Sequence, residues 1–497
     1  MIKNGKDYDK ETLTADVCIV GSGPAGITIA WELINKDPSL RVIILDGSRD
    51  TGNATDYWKQ NWPNKVWLYD GLSDGLFTHN EPNFLILPNN QYPNGVRERE
   101  RTYGGTSAHW GGQSRPLDPI TFEGVPGYDG WPVTYDEMAP YYSRAADLCR
   151  LDGDNFTAEY WAGKTDGEVP HLTGFNAEMY QFIAHENLNF ATRTFGEDNI
   201  TIGDSPVLVI RNASLLLVNH TDGSVDSLQI ASMSDDGDPP SKQTEFTVKA
   251  TSYVLAMGAV ANARQMLLSN IKNDNIGRHF MCHPLVANYL DNQGNPIFVS
   301  GEYLSAGESR LMSGNITPPP NNGVTVQGRF IPNAEVTREN DIGRCWFWAG
   351  TGGNGFYFEQ SPNPNSRITL TDTTDPVFGQ KQTHIHWEFN EHDEKTYNTV
   401  IALFEKAIQK INPAASLTSI SWDELKSRVV VNGHHMGTTR MSTSAENGVV
   451  DKNLCSHDLD NLYVAGSSVW PSAGISNPTF SIIAFSIRLA DYLNKAI

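Results

Sequence analysis

Hydrophobic positions come in two textures along this chain. Near the start they form short unbroken runs. Val17-Cys18-Ile19-Val20 and Arg41–Leu45 (RVIIL) are apolar over strand length, and Ile27–Ile34 between them has the composition of a buried helix. Gly21-Ser22-Gly23-Pro24-Ala25-Gly26 joins the first strand to the helix. Asp46 closes the second strand, 20 residues after Gly26. The stretch Ala15–Asp46 therefore predicts strand, tight turn, helix, strand. The same texture returns at Ser252–Ser269 (SYVLAMGAVANARQMLLS), with a turn at Met257-Gly258-Ala259. It returns again in Val429–Ile497, where the strand Asn461–Ala465 ends at Gly466-Ser467. A last helix there runs to about Asn494, with Asn477 as cap and Pro478 as first helical residue.

The second texture is β-rich and irregular. Pro206–Arg211, Ala213–Asn219, Ser227–Ala231 and Glu245–Ala250 read as short strands with turns such as Asp222-Gly223. Within residues 285–430, Thr325–Ile331, Arg344–Trp348, Arg367–Leu370 and Gln382–Phe389 are candidate strands, and His392–Ile411 has a helical pattern. This predicts a strand-rich sheet with helices on one side. Thr134 and Glu137 form a capping box for a helix reaching about Cys149. Residues 47–100, with Trp58, Trp62, Trp67 and Tyr69, lack periodicity and read as a lid or arm, or as a surface excursion packed on the core. The fold class expected is α/β, α+β overall.

Composition narrows the partners. The 497 residues carry 37 basic and 58 acidic side chains, a net charge of −21, with no basic cluster. Such a surface repels nucleic acid and anionic lipid. Cys18, Cys149, Cys282, Cys345 and Cys455 are scattered, without C-x-x-C spacing, against a disulfide framework or zinc site. His384 and His386 share a strand face, but no third ligand is evident, so no metal is expected. Residues 1–16 lack an apolar signal region, and no run of about 18 apolar residues offers a membrane span. A cytoplasmic location is the expectation.

The candidate chemistry lies at the turns. In G-x-G-x-x-G, Gly21 permits the sharp turn, Gly23 lets backbone approach a pyrophosphate, and Gly26 lets helix and strand pack closely. The helix N-terminus offers free N–H groups to phosphates, and an acid at the position of Asp46 accepts ribose hydroxyls. On this turn alone NAD and FAD stay open. In Arg101–Arg115 (RTYGGTSAHWGGQSR) two glycine pairs flank a His-Trp, which suits a chain lying flat on a ligand. Asn432-Gly433-His434-His435-Met436-Gly437 adds a histidine pair beside glycines. Trp346, Trp348, Phe356 and Tyr357 suit stacking on sugar rings, or the core.

Together these stretches resemble the glucose–methanol–choline (GMC) oxidoreductases. GSGPAG with Asp46, GGTSAHWGG at 104–112, YVLAMGAVANARQMLLS at 253–269, GHHMGTTRM, LYVAGSSVWP and GISNPTFS occur in the family's order. Within the family the chain is most similar to the branch of pyranose 2-oxidase and related glycoside and sugar oxidases or dehydrogenases. The resemblance implies a discontinuous Rossmann-like FAD-binding domain from 1–120, 200–290 and 430–497. It implies a substrate domain of mixed or antiparallel sheet and helices from 120–200 and 290–430. Gly21, Ser22, Gly23, Pro24, Ala25, Gly26 and Asp46 would hold the adenosine end of FAD. Gly104, Gly105, Thr106, Ala108, His109 and Gly112 would lie along the isoalloxazine. His109 matches the histidine that carries FAD covalently in pyranose 2-oxidase, and whether the bond forms here stays open. Ala256, Gly258, Gly466, Ser467, Asn477, Pro478 and Thr479 complete the cofactor set. His434 falls at the catalytic histidine position with Asn477 as its partner, and His435 competes for the assignment. The implied reaction oxidises an alcohol of a sugar, glycoside or polyol, with O2 or a quinone-like acceptor taking the electrons. Non-redox chemistry on the same fold, action on a non-carbohydrate alcohol and a non-catalytic binding role are the rivals.

Overall fold

A computed structural model describes residues 1–48, 77–79, 103–108, 110–124, 130–184, 207–237, 240–287, 298–300, 303–313, 316, 323–350, 353–428, 430–431 and 433–497. His109 and almost all of the 47–100 segment lie outside the described residues.

The apolar runs are the centre of a sheet with eight strands among the described residues. Thr12–Val20 lies between Val42–Leu45 and the long strand Pro240–Leu255, parallel to both. Val207–Arg211 and Ile2–Asn4 continue the parallel order beyond Val42–Leu45. Val17, Ile19, Val42 and Ile44 have no exposed surface, because helices cover the faces of such a sheet. Pro24–Lys36 is the crossover helix after Thr12–Val20, and the final helix Pro478–Ala496 packs against it. The separate strands expected around residues 245–255 are one strand of 16 residues. Its first part pairs antiparallel with Ser224–Gly237, and Tyr253–Leu255 then pairs parallel with Leu462–Val464. A change of neighbour, rather than a turn, accounts for the change in sequence texture.

The β-rich texture builds a second, antiparallel sheet of seven described strands. Their order is Val430–Val431, Pro284–Ala287, Gly353–Phe358, Cys345–Gly350, Thr325–Pro332, Phe175–Phe182 and Gln113–Ser114. One face rests on the helix Glu391–Ile411. That helix begins at Asn390 in a capping box with Asp393 and has three acids in its first turn, which suits the helix dipole. Its buried stripe Tyr397, Val400, Ile401, Phe404 and Ile408 follows helical spacing. Phe404 stacks on Phe347 with ring centroids 3.8 Å apart and also meets Phe175 and Phe330. Phe356 belongs to this core face, fully buried against Phe347 and Tyr397. Its neighbour Tyr357 is on the opposite face, as strand alternation requires.

The helix from Tyr135 to Cys149 carries the expected Thr134–Glu137 capping box. No helix among the described residues is long and apolar enough to cross a membrane. His384 and His386 lie in the strand Lys381–Trp387, where His386 Nε2 is 3.3 Å from Glu388.

Phe404 joins the second sheet to its helix. Phe404→Ala is expected to remove about 3–5 kcal/mol of stability, read as a lowered midpoint in chemical denaturation; an unchanged midpoint would contradict this packing.

Candidate active site

Three adjacent parallel strands of the first sheet end, at the same edge, in glycine turns. Gly21 follows Thr12–Val20 at φ +112°, and a Cβ there would be 2.4 Å from the Ala256 carbonyl oxygen. Any side chain would part the two strand ends. At Gly26 a Cβ would meet the Gly21 carbonyl oxygen at 2.0 Å, so helix and turn touch. Gly23, Gly258 and Gly466 are different: an added Cβ would meet nothing within 4 Å. They border open space at the carboxyl edge of the sheet, beside the helix N-termini that begin at Pro24 and Ala259. Bare glycine backbone and uncapped N–H groups are what a pyrophosphate needs, so these residues fit a dinucleotide.

Ser22 joins two expected contacts. Its hydroxyl donates to Asp46 Oδ2 and accepts from the Gly104 N–H at 3.0 Å. The Gly104 loop is thereby docked on the first turn, with Gly105 close against Gly23. Asp46 also accepts from the N–H and hydroxyl of Ser48. Its carboxylate is therefore oriented within the chain, with lone pairs to spare for ribose hydroxyls. Thr106 is exposed, and the Gly112 carbonyl accepts from the Ile183 N–H.

The histidine pair is separated by the fold. Met436 exchanges two backbone hydrogen bonds with Met281, and Gly437 and Thr439 donate to Ser467 and Ser468. Ser467 returns its hydroxyl to the His435 carbonyl at 2.7 Å. This zipper turns the buried His435 ring against Phe280, with centroids 5.3 Å apart. His434 faces the other way. Its Nδ1 is 3.1 Å from Nδ1 of His283, a residue that the sequence did not single out.

The proton positions in this pair follow from one backbone group. His283 Nε2 is 2.9 Å from the carbonyl oxygen of Gly474. A carbonyl only accepts, so Nε2 carries the proton and Nδ1 of neutral His283 is a lone pair. His434 Nδ1 must then be the N–H donor, which leaves His434 Nε2 unprotonated. Burial pushes His283 down to about 4. Burial, with His283 and His435 nearby, holds His434 well below the ordinary histidine range. Both rings are neutral at pH 7.

Gly474 belongs to the segment that carries Asn477, and this segment is gripped at each step. The buried Glu359 accepts from the Gly474 N–H at 2.7 Å, while His283 donates to its carbonyl. Ser476 accepts from Arg115 and donates to the Pro116 carbonyl. Arg115 and Arg344 share the carboxylate of Asp118, and both ion pairs are buried. Asn477 starts the last helix, but its side chain makes no cap hydrogen bond and Pro478 occupies the first turn. Ile475 packs on the free face of the second sheet, with Tyr180, Ile331 and Trp346. Asn262 is a further unannounced contributor. Its amide links the Met257 N–H to the Ala465 carbonyl and Ser468, holding two glycine turns together. A lone histidine before proline and an asparagine in a helix carry no pattern, so neither could be read from spacing.

Residues 362–486 match the family model described as GMC oxidoreductase. Over 97% of this chain and 98% of its own length, the fructose dehydrogenase large subunit of Gluconobacter japonicus is 24% identical. The 2-methyl-1,2-propanediol dehydrogenase of Mycolicibacterium austroafricanum is 22% identical over 97% of this chain and 95% of its own. Among solved structures, an FAD-dependent oxidoreductase from Chaetomium thermophilum superposes with a TM-score of 0.62 at 15% identity, covering 97% of this chain and 99% of that one. The chain shares the fold of that structure.

Gly474 adopts φ +60°, and a Cβ there would be 2.6 Å from Leu117 Cδ2 and 3.1 Å from Thr121 Cγ2. Gly474→Ala is expected to cost on the order of 1–3 kcal/mol through backbone strain and to shift the carbonyl that His283 reads. Thermal unfolding and a crystal structure of the variant test this; an unmoved peptide at undiminished stability refutes it.

Proposed function

The chain carries the C-terminal domain of the GMC oxidoreductases, and from that premise we propose that it is an FAD-dependent enzyme oxidising an alcohol of a sugar, glycoside or polyol to a carbonyl. The glycine turns at Gly21–Gly26, Gly258 and Gly466 would hold FAD, with Asp46 at its ribose. Bound there, FAD supplies the two-electron acceptor for the hydride that leaves the alcohol carbon. The protein must take the hydroxyl proton, and His434 Nε2 is the base. The observation that carries this reading is the hydrogen-bond chain from the Gly474 carbonyl through His283 to His434. It presents a lone pair at Nε2 without any charged group having to form first. Asn477, with a donor and an acceptor and no cap bond, orients the hydroxyl. The N-terminus of the helix after Pro478 favours negative charge nearby. His435, turned onto Phe280, is a structural neighbour in this mechanism. The electron acceptor is O2 or a quinone-like compound, distinguished by anaerobic reduction followed by admission of air. Attachment of FAD through His109 would leave yellow colour on the denatured precipitate.

His434→Ala is expected to slow anaerobic flavin bleaching at least about 100-fold, within general-base magnitudes. Bleaching at the wild-type rate excludes His434 as base.

The acid limb of kcat/KM tests the relay. Both histidine pKa values are lowered, so the base is already neutral at pH 7, and activity is lost only as pH falls below 6.5 through the pair's titration. His283→Gln keeps a donor for the carbonyl and an acceptor for His434, whereas His283→Leu keeps neither. The Leu variant should lose on the order of 10–100-fold, as for other residues that orient a functional imidazole, and its acid limb should move. The Gln variant should retain both rate and limb. Equal rates and limbs in the two variants would sink the relay.

A further inference from the structure

The face of the second sheet turned away from the helix Glu391–Ile411 holds a charge without an ion-pair partner among the described residues. Arg329, in the middle of Thr325–Pro332, is 3% exposed. Its guanidinium carbon is 4.8 Å from the ring centre of Trp346, 5.4 Å from Trp348 and 5.6 Å from Tyr180. Nη1 donates to the Gly328 carbonyl, and Nε has no partner. Among the described residues no carboxylate is within ion-pair distance of it. The neighbouring buried guanidinium groups differ. Arg115 has Asp118 and Glu178, and Arg344 has Asp118. Burial lowers the Arg329 pKa to about 10, which leaves it charged at neutral pH.

The surroundings repeat the deficit. The indole Nε1 atoms of Trp346 and Trp348 are buried without a hydrogen-bond partner among the described residues, and the Tyr180 hydroxyl has only Ser476 close by. With Arg329 Nε the indoles are buried donors whose hydrogen bonds are unmade among the described residues. A neutral polyol hydroxyl both donates and accepts, whereas a carboxylate only accepts and brings the missing charge. The place is next to the proposed reaction centre. Arg115 lies over the Tyr180 ring and donates to Ser476, the residue before Asn477. Tyr357, stacked on Trp346 at 4.3 Å, pairs across the sheet with Leu285, two residues beyond His283.

We propose that Arg329, with Trp346, Trp348 and Tyr180, binds a carboxylate on the substrate, which makes the preferred substrate a polyhydroxy acid of the sugar-acid class. This rests on the reading that the alcohol carbon lies between His434 and Asn477. Trp348 and Tyr357, both half-buried, offer flat surfaces for the rest of such a molecule.

Matched pairs of ligands test the proposal on the holoenzyme. Glucuronate against glucose, and gluconate against glucitol, differ at the carboxylate end. Binding is measured anaerobically by calorimetry with the flavin already reduced, so that no turnover is needed. The acid of at least one pair should bind about tenfold tighter than its neutral twin, a gain typical of a charge-assisted bond. Arg329→Gln should abolish that preference and leave the neutral twin within about twofold. Trp348→Phe removes one donor without touching the charge, and should weaken only the acids. Equal binding of both members of each pair to the wild type overturns the proposal without any variant, and so does a preference that survives in Arg329→Gln. Separately, bleaching of the oxidised flavin by neutral alcohols with no preference for acids would refute the carboxylate while leaving alcohol oxidation standing. Acid binding without bleaching by any alcohol would refute alcohol oxidation while leaving the anion site.

Discussion

Gly474 is the fixed point of the candidate site. Its carbonyl accepts from His283 and its N–H donates to Glu359, both within the protein interior. A backbone carbonyl can only accept and a backbone N–H can only donate. Gly474 therefore imposes one polarity on whatever it touches, independent of pH. His283 passes that polarity to His434 across a 3.1 Å contact. A carboxylate in place of the carbonyl would favour the charged imidazolium and raise its pKa. A neutral carbonyl chooses the tautomer and favours the cation only weakly, and burial outweighs it and keeps both rings neutral.

Such a relay works only if Gly474 stays in place, and the two sheets converge to hold it. The antiparallel sheet is continuous with the site at both edges. At one edge, Pro284–Ala287 follows directly from His283 and pairs with Val430–Val431, which precedes the His434 loop. At the other, Gln113–Ser114 follows Gly112 and leads into Arg115, the residue that holds Ser476. The first sheet contributes Leu462–Val464, whose turn at Gly466–Ser468 is zippered to Gly437 and Thr439. A shift of either sheet would misplace a hydrogen-bond partner of the same loop.

Local signals in the sequence were read where one segment is enough to define them. The capping box at Thr134, the amphipathic stripe before Ile411 and the glycine turn after Val20 each depend on a few neighbours along the chain, and each is present in the fold. The resemblance pointed to His434 and Asn477 because both lie in glycine-rich stretches with distinctive spacing. What escaped depends on contacts between distant segments. His283 acquires its part from Gly474, 191 residues away. Phe356 and Tyr357 are equally aromatic, and strand parity puts one on the helix side and the other on the open side. The boundary inside Pro240–Leu255 was misread for the same reason, since both of its partner strands are remote in sequence.

The three arginines of the open sheet face show how burial separates structural from functional charge. Asp118 is held well below the usual carboxylate range by Arg115 and Arg344, whose attraction overcomes its own desolvation. Such a buried ion pair is weak evidence for stability, because desolvation cancels much of the attraction, but breaking one side leaves a costly bare charge. Those two guanidinium groups therefore fix geometry: Arg344 also ties down the Pro332 carbonyl and Thr337, and Arg115 ties down Ser476. Arg329 has aromatic faces and one carbonyl in place of a carboxylate. Aromatic rings compensate a buried cation only in part, by about 0.5–2 kcal/mol per contact. Hydrophobic packing alone would favour an aliphatic residue at that position in the strand. A charge kept there without a counter-ion among the described residues makes sense if the counter-ion arrives with the ligand, and the same donors then set its selectivity.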